Sequence, residues 1–485
     1  MMIQKLSALF EGITIDGTLP EGDVTDVTCD SRRVSAGSLF VCIAGEQTDG
    51  HLFAKDALEK GAIAVVCERD LSLKGQILVQ DTHYAYAKLC ANFCCNPAKD
   101  LTFIGVTGTN GKTTVTKLVK GMLTQAGKKV GLIGTIQNEI GDTIIPASKT
   151  TPDPMEYQTL LLKMKDAGCD YVVMEVSSHA LEQCRLGDTF FTVGAFTNLT
   201  QDHLDYHKTM ERYYRAKEKM FSACKKAIVC IDDSYGKRLA QTAPCEIVTC
   251  SALQQSADAV AEEIQMDVTG VSFLLKFGEE QAKISYCTPG LFSVHNAMTA
   301  ILICRELGYS LQDAADFLRH CSPVKGRSER IETGRDFTVI CDYAHSPDGL
   351  KNILESIRRY KKGRLVTVFG CGGDRDRSKR PLMGEAAAAG SDFLIVTSDN
   401  PRTEDPDTII NDIMVGIQRH STPYQRITNR KEAIFYAVEH AQKDDVILLA
   451  GKGHEDYQVL GTRKIHFDER EIVSEALQQH AARKE

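Results

Sequence analysis

Residues 102–123, TFIGVTGTNGKTTVTKLVKGML, pass from a β-branched run through a glycine-rich turn into an amphipathic helical pattern. Few architectures accept such a segment. The run is a buried strand, and the helix must start where the loop ends. Glycines in the loop let successive backbone N–H groups turn inward around phosphate oxygens, and the helix N-terminus adds partial positive charge. Gly108, Thr109, Asn110, Gly111, Lys112, Thr113 and Thr114 are therefore the nucleotide-binding candidates. Lys112 would reach the terminal phosphates, and the Thr113 hydroxyl would bind Mg²⁺. The match to the usual phosphate loop is not strict. Val106 stands where the leading glycine is expected, flanked by Gly105 and Gly108. No Asn-Lys-x-Asp guanine signature follows, so ATP is the expected nucleotide.

A phosphate loop of this kind belongs to a parallel sheet, and the rest of the chain reads as strand, helix, strand, helix throughout. That is the mark of an α/β protein. Its 485 residues suggest about three domains at roughly 100–200 residues each. Residues 1–97 carry the strands SLFVCIAG and AIAVVCE. Residues 98–332 hold the phosphate loop and the strands KVGLIGT, DYVVMEV and TVGAFTN. Residues 333–485 contain FTVICDYAH, RLVTVFG, DFLIVTS and DVILLAG, separated by helical runs.

The formal net charge of −8 argues against nucleic acid as the main partner, which would call for a basic face. No apolar stretch approaches the roughly 20 residues of a membrane span. The 17 cysteines are scattered, often in apolar runs, with no CxxC pair. Reduced, mostly buried thiols in a cytoplasmic protein are expected. Monomer is the default state.

Three further segments carry chemistry. In YVVMEVSSHALEQCRLG, Glu175 ends a buried strand, where a charge is costly unless it is paired or bound to metal. A strand-end salt bridge and a metal ligand weigh equally there. In FTNLTQDHLDYHKTMERYYRAKEKMF, Asp202, His203, Asp205 and His207 crowd one turn-rich segment, which suggests a divalent cation. Lys217 lies in the following helix and reads from spacing alone as a surface lysine. In TSDNPRTEDP, the rigid Pro401 precedes Arg402, whose planar fork suits a carboxylate.

These motifs, with HNAMTA, GRSER, DYAHSPD, FGCGGDRDRSKRPLMG and AGKGHEDYQ, occur in the order found in the Mur ligase family, which the chain resembles over essentially its whole length. The resemblance implies three domains: an N-terminal α/β UDP-binding domain, a central ATPase-like domain with a parallel sheet, and a C-terminal Rossmann-like domain. It implies an ATP-dependent amide ligase of peptidoglycan synthesis. Such an enzyme adds meso-diaminopimelate to UDP-N-acetylmuramoyl-L-alanyl-D-glutamate through an acyl phosphate. L-lysine is the alternative amine. A folate polyglutamate ligase and a nucleotide-binding scaffold without turnover are weaker readings.

By the same resemblance, Lys112, Glu175, His203 and Lys217 are catalytic. Thr113, Glu175, His203 and a carbamylated Lys217 serve the magnesium ions, and Asn296, Arg327 and Asp342 contact ATP. Cys29, Ser31, Glu46, Gln47 and Thr48 would hold the uridine diphosphate. Thr150, Thr151, Ser177, Gln183 and Arg185 would hold the muramoyl peptide. Arg375, Asp399, Asn400, Pro401, Arg402, Gly451 and Glu455 would hold diaminopimelate. Asp-Asn-Pro-Arg is the form that the resemblance associates with diaminopimelate; the lysine-adding relatives usually lack the arginine.

Overall fold

The structure, a computed structural model, describes residues 2–45 and 48–482. Two candidates, Glu46 and Gln47, lie outside the described residues. The described residues form α/β units around three large sheets, as the alternating pattern predicts, with two further two-stranded sheets.

The first sheet is parallel, in the order Asp26–Thr28, Ser38–Val41, Ala64–Cys67, Gln76–Leu78. Helix Thr82–Phe93 covers it. Ala85, Tyr86, Leu89, Cys90 and Phe93 recur on its buried face, at the three- and four-residue spacing of a helix. The Asp81 side chain accepts from the Tyr84 N–H at 3.0 Å and caps its start. The helix also packs against Pro154–Asp166, joining this unit to the next.

The second sheet has 11 strands. Its parallel core runs Val130–Ile133, Tyr171–Glu175, Thr102–Thr107, Phe191–Phe196, Cys224–Cys230, Glu246–Ser251. The phosphate-loop strand is thus central, with every residue from Phe103 to Thr107 buried. Helices Lys112–Gln125 and Leu291–Glu306 pack together over one face. Strict strand–helix alternation fails beyond Ser251. There Ala259–Asp267, Gly270–Phe277 and Glu280–Tyr286 form an antiparallel meander with no helix between them. The joints are two-residue turns, and Gly278 has φ +56, a conformation that glycine adopts without strain. A second hairpin, Gln137–Ile140 with Thr143–Pro146, closes the other edge.

The third sheet runs Glu329–Ile331, Thr338–Asp342, Val446–Ala450, Leu365–Phe369, Phe393–Val396, Tyr424–Arg426, parallel except for its first strand. Helices cover both faces. Leu350, Leu354, Met383, Ala387, Ile410 and Ile413 pack on one side, and Ile434, Val438, Ile472 and Val473 on the other. Burial on both faces explains why Leu365–Phe369 and Val446–Ala450 are buried at every residue. In such sheets the loops leaving the carboxyl ends form the binding edge.

Candidate functional site

The loop 108–111 turns under the end of strand Thr102–Thr107. Gly108 and Gly111 have φ +142 and +89. A Cβ at Gly108 would come within 2.0 Å of Thr197 Oγ1, and one at Gly111 within 2.5 Å of Asn296 Oδ1. Only glycine fits both. The neighbouring strand end holds the loop. Asn198 O accepts from Thr109 N at 2.8 Å, and Asn198 Oδ1 from Asn110 N at 2.9 Å. Lys112 Nζ curls back onto the carbonyls of Gly108 and Thr109, at 2.9 and 2.8 Å.

Glu175 is 1% exposed. Its carboxylate accepts from Thr113 Oγ1 at 2.9 Å, Thr135 N at 2.8 Å and Thr135 Oγ1 at 2.9 Å. All three partners are neutral, and among the described residues no cation forms an ion pair with this buried carboxylate. Hydroxyl and carboxylate oxygens so placed are the hard donors that magnesium prefers, and the Thr113–Glu175 pair fits that ion. His203, at φ +53 beside Asp202, is half-exposed on the same cleft.

Lys217 is buried, which corrects the surface position that its spacing alone suggests. Its Nζ donates to the Gly108 carbonyl at 2.9 Å, the same oxygen that Lys112 Nζ uses. Burial, with the Lys112 charge next to it, pushes the Lys217 ammonium well below the usual lysine range. Burial lowers Lys112 too. Two lysines on one carbonyl therefore favour a neutral Lys217 amine. Asp202 lies on the other side of this balance. Burial alone would raise it, but His203 and Lys379 hold it well below the usual carboxylate range.

Burial also holds His207 down to about 4 and His454 to about 3. Their folded pKa values lie below the unfolded value of roughly 6.5, so the unfolded chain takes up protons first. The stability they contribute is present above pH ~6.5 and is lost as pH falls toward about 4. Tm is expected to fall across that window, and less steeply in His207→Gln. Parallel Tm profiles for the two proteins would contradict this.

The site spans two sheets. Lys112, Thr113, Glu175, His203, Asn296, Arg327 and Asp342 line one cleft of about 580 Å³. Arg327 Nη2 donates to Thr113 Oγ1 at 3.3 Å, and its guanidinium lies over the Tyr343 ring. Burial raises the Asp342 carboxyl, which accepts from Ser328 N and Ala344 N at 2.6 and 2.8 Å. Lys379 Nζ donates to Asp202 Oδ1 at 3.0 Å, bridging the third unit to the histidine segment.

Three loops meet at the carboxyl edge of the third sheet. Arg402 has φ +52, and its Nη1 donates to Gly373 O at 2.7 Å. Gly373 N donates to Asn400 O at 2.9 Å. Gly451 lies so close to Asp399 that a Cβ would meet Oδ2 at 2.8 Å. Asn400 is buried, and its amide is committed within the loops: Nδ2 donates to Glu455 Oε2 at 2.8 Å, and Oδ1 accepts from Val459 N at 2.9 Å. Arg375 is exposed at the rim.

Sequence reasoning passed over Lys452. Its side chain is fully buried, and its Nζ donates to Glu455 Oε2 at 2.9 Å and Asn400 Oδ1 at 3.3 Å. It holds two candidate ligand groups in register. Lys452→Met is expected to raise KM for the amino-acid substrate by on the order of 10-fold or more, at the 1.5–3 kcal/mol of a charged hydrogen bond. The ATP KM should change little; a matching rise in both would contradict a local positioning role.

Thr151 Oγ1 donates to Glu175 O at 2.8 Å and accepts from Ser177 N at 3.0 Å. Arg185 donates to Thr151 O at 3.0 Å and to Gln183 Oε1 at 2.7 Å. Thr150 Oγ1 lies 3.0 Å from Thr135 Oγ1. These five candidates thus form one network behind Glu175. Cys29 and Ser31 follow strand Asp26–Thr28, and Thr48 follows Ser38–Val41. They therefore share the carboxyl edge of the first sheet, apart from the cleft residues.

A central phosphate loop, a buried carboxylate and lysine beneath it, and a second α/β unit closing the cleft define a nucleotide-dependent ligase. The Mur ligase middle domain matches residues 106–304, the Mur ligase glutamate ligase domain 326–453, and the Mur ligase family catalytic domain 23–94. The chain belongs to the Mur ligase family, whose members are ATP-dependent amide ligases. It is 48% identical over 462 residues to the UDP-N-acetylmuramoyl-L-alanyl-D-glutamate--2,6-diaminopimelate ligase of Caldanaerobacter subterraneus subsp. tengcongensis, covering 94% of this chain and 95% of that one. It is 43% identical to the enzyme of that name in Clostridioides difficile, covering 98% and 99%. A solved structure of a ligase with this name is 32% identical with TM-score 0.72, covering 99% of this chain and all of that one. Among the described residues, no helix is long and apolar enough to cross a membrane.

Proposed function

We propose that the protein joins meso-diaminopimelate to UDP-N-acetylmuramoyl-L-alanyl-D-glutamate with cleavage of ATP. The carrying observation is the junction of three loops, where Arg402 rests on Gly373 and the buried Lys452 sets Glu455 and Asn400. The relatives' names support the same substrates. Residues 1–97 take the uridine diphosphate end, 98–332 the ATP chemistry and 333–485 the amine.

A carboxylate oxygen of the D-glutamyl residue attacks the γ-phosphorus of ATP, and ADP leaves. The diaminopimelate amine attacks the resulting acyl phosphate. Phosphate departs with the oxygen that came from the carboxylate, and the amine proton passes to solvent. Lys112 and the loop amides hold the phosphates, while Arg185 and Thr151 hold the acceptor peptide. Thr113 and Glu175 would hold magnesium, which offsets the repulsion between carboxylate and phosphate. The site combines nucleotide and amino-acid binding on one monomer, and its free thiols suit the cytoplasm.

Oxygen labelling tests this route. With heavy oxygen in the acceptor carboxylate, one labelled atom is expected in each phosphate released. Unlabelled phosphate alongside full amide formation would overturn the acyl-phosphate route.

A further inference from the structure

A second cluster of ligating side chains takes no part in the chemistry proposed above. Cys230 ends strand Cys224–Cys230, Asp232 lies in the turn that follows, and His295 sits in the second turn of helix Leu291–Glu306. One ligand atom from each lies within 4.8 Å of the other two. All three residues line the nucleotide cleft.

The surroundings hold the cluster in place. Asp232 accepts from Ser251 Oγ, from Ala252 N at 2.9 Å, and lies 2.7 Å from His295 Nε2. Cys230 is 4% exposed, and Cys250 stands directly opposite it on the next parallel strand. The neighbouring Asp233 caps helix Ser234–Thr242 and accepts from Leu199 N at 3.1 Å, which pins the turn. The ligands thus come from two strand-linked positions and one helix, none on a long free loop.

We propose that Cys230, Asp232 and His295 form a binding site for a zinc-like divalent cation, with a fourth coordination position opening on the nucleotide cleft. Thiolate and imidazole together select borderline-soft metals, whereas the oxygens of Thr113 and Glu175 select magnesium. The two sites differ in chemistry as well as in residues. Bond lengths of about 2.0–2.3 Å in a tetrahedral shell put neighbouring ligand atoms roughly 3.3–3.8 Å apart. The Asp232–His295 pair widens slightly from 2.7 Å to reach that spacing, and Cys230 lies within 4.8 Å of both. Binding releases the thiol proton to solvent, and the proton that His295 Nε2 directs at Asp232 leaves to solvent or moves to Nδ1, which frees the Nε2 lone pair for the metal. Water, or a donor atom of a cleft ligand, takes the fourth position.

Cobalt(II) is the probe. Reduced, metal-free full-length protein is titrated with Co²⁺ in excess Mg²⁺, which occupies the hard-oxygen site. One equivalent is expected to bind with a thiolate-to-cobalt charge-transfer band and the intense visible absorption of a tetrahedral site, both abolished by one equivalent of Zn²⁺. Cys230→Ser and His295→Gln, each verified as folded by circular dichroism, should lose the band. Cys287→Ser, which removes an exposed thiol elsewhere, should keep it. Absence of the band in the unaltered protein, or its survival in both Cys230→Ser and His295→Gln, would overturn the assignment.

Discussion

Lys217→Ala is expected to lose on the order of 10²–10³-fold in kcat, the scale of removing one preorganised charge-stabilising group, with the KM for ATP changed only a few-fold. The reason is the electrostatics under the phosphate loop. Lys217 is fully buried and shares the Gly108 carbonyl with Lys112, and burial with that neighbouring charge pushes its ammonium down, which favours the neutral amine. A neutral amine adds to the carbon of CO₂ and loses a proton. On the proposed reading, this carbamylation would turn the cation into a carboxylate-like group beside the cleft. Removing the side chain leaves a space into which a small carboxylate fits, so added formate or acetate should restore part of the rate. The same additives should not help Lys112→Ala, where the lost group is a cation. Full activity in Lys217→Ala, or equal rescue of both variants, would contradict this role.

Arg402→Ala is expected to reduce kcat/KM for diaminopimelate by about 10–150-fold, corresponding to the roughly 1.5–3 kcal/mol of a hydrogen bond to a charged group. KM for ATP should stay within about twofold. Arg402 is held at a left-handed backbone position, with Arg402 N donating to Val459 O at 3.1 Å and Gly461 N to Arg402 O at 2.7 Å. Its fork therefore leaves the loop from a rigid base, onto Gly373. A guanidinium can bond a distal carboxylate through two parallel N–H groups. Arg402→Lys should not rescue the loss, because an ammonium offers a point charge instead of a fork. Equal losses for ATP and diaminopimelate would place Arg402 outside amine recognition.

Much of the fold was legible in local patterns. The parallel strands of the second and third sheets are apolar runs, and the phosphate loop announces itself through Gly108, Gly111 and Lys112. The meander 259–286 was not read, because its alternation is short and its turns, Val268-Thr269 and Gly278-Glu279, lack strong turn dipeptides. Lys217 carried a signal that spacing could have used. It falls four residues after Tyr213 and three after Tyr214, on the buried face of helix Met210–Glu218. What spacing lacked was the partner above, Gly108, more than a hundred residues away. Lys452 is harder still. It stands between two glycines in an ordinary-looking loop, and its meaning arises only where the fold brings Asn400 and Glu455 to it. Asp202 and Lys379 meet across units for the same reason. Residues that act through long-range contacts leave little trace in local sequence.

The ligase uses ATP to attach diaminopimelate to its UDP-linked acceptor. The direct measurement is phosphate release by purified protein with ATP, Mg²⁺ and UDP-N-acetylmuramoyl-L-alanyl-D-glutamate, comparing meso-diaminopimelate, L-lysine and no amine. Turnover is expected with diaminopimelate, with lysine slower by at least about tenfold, as an unpaired Arg402 charge requires. Equal or faster turnover with lysine, or none with either amine, would contradict diaminopimelate as the substrate.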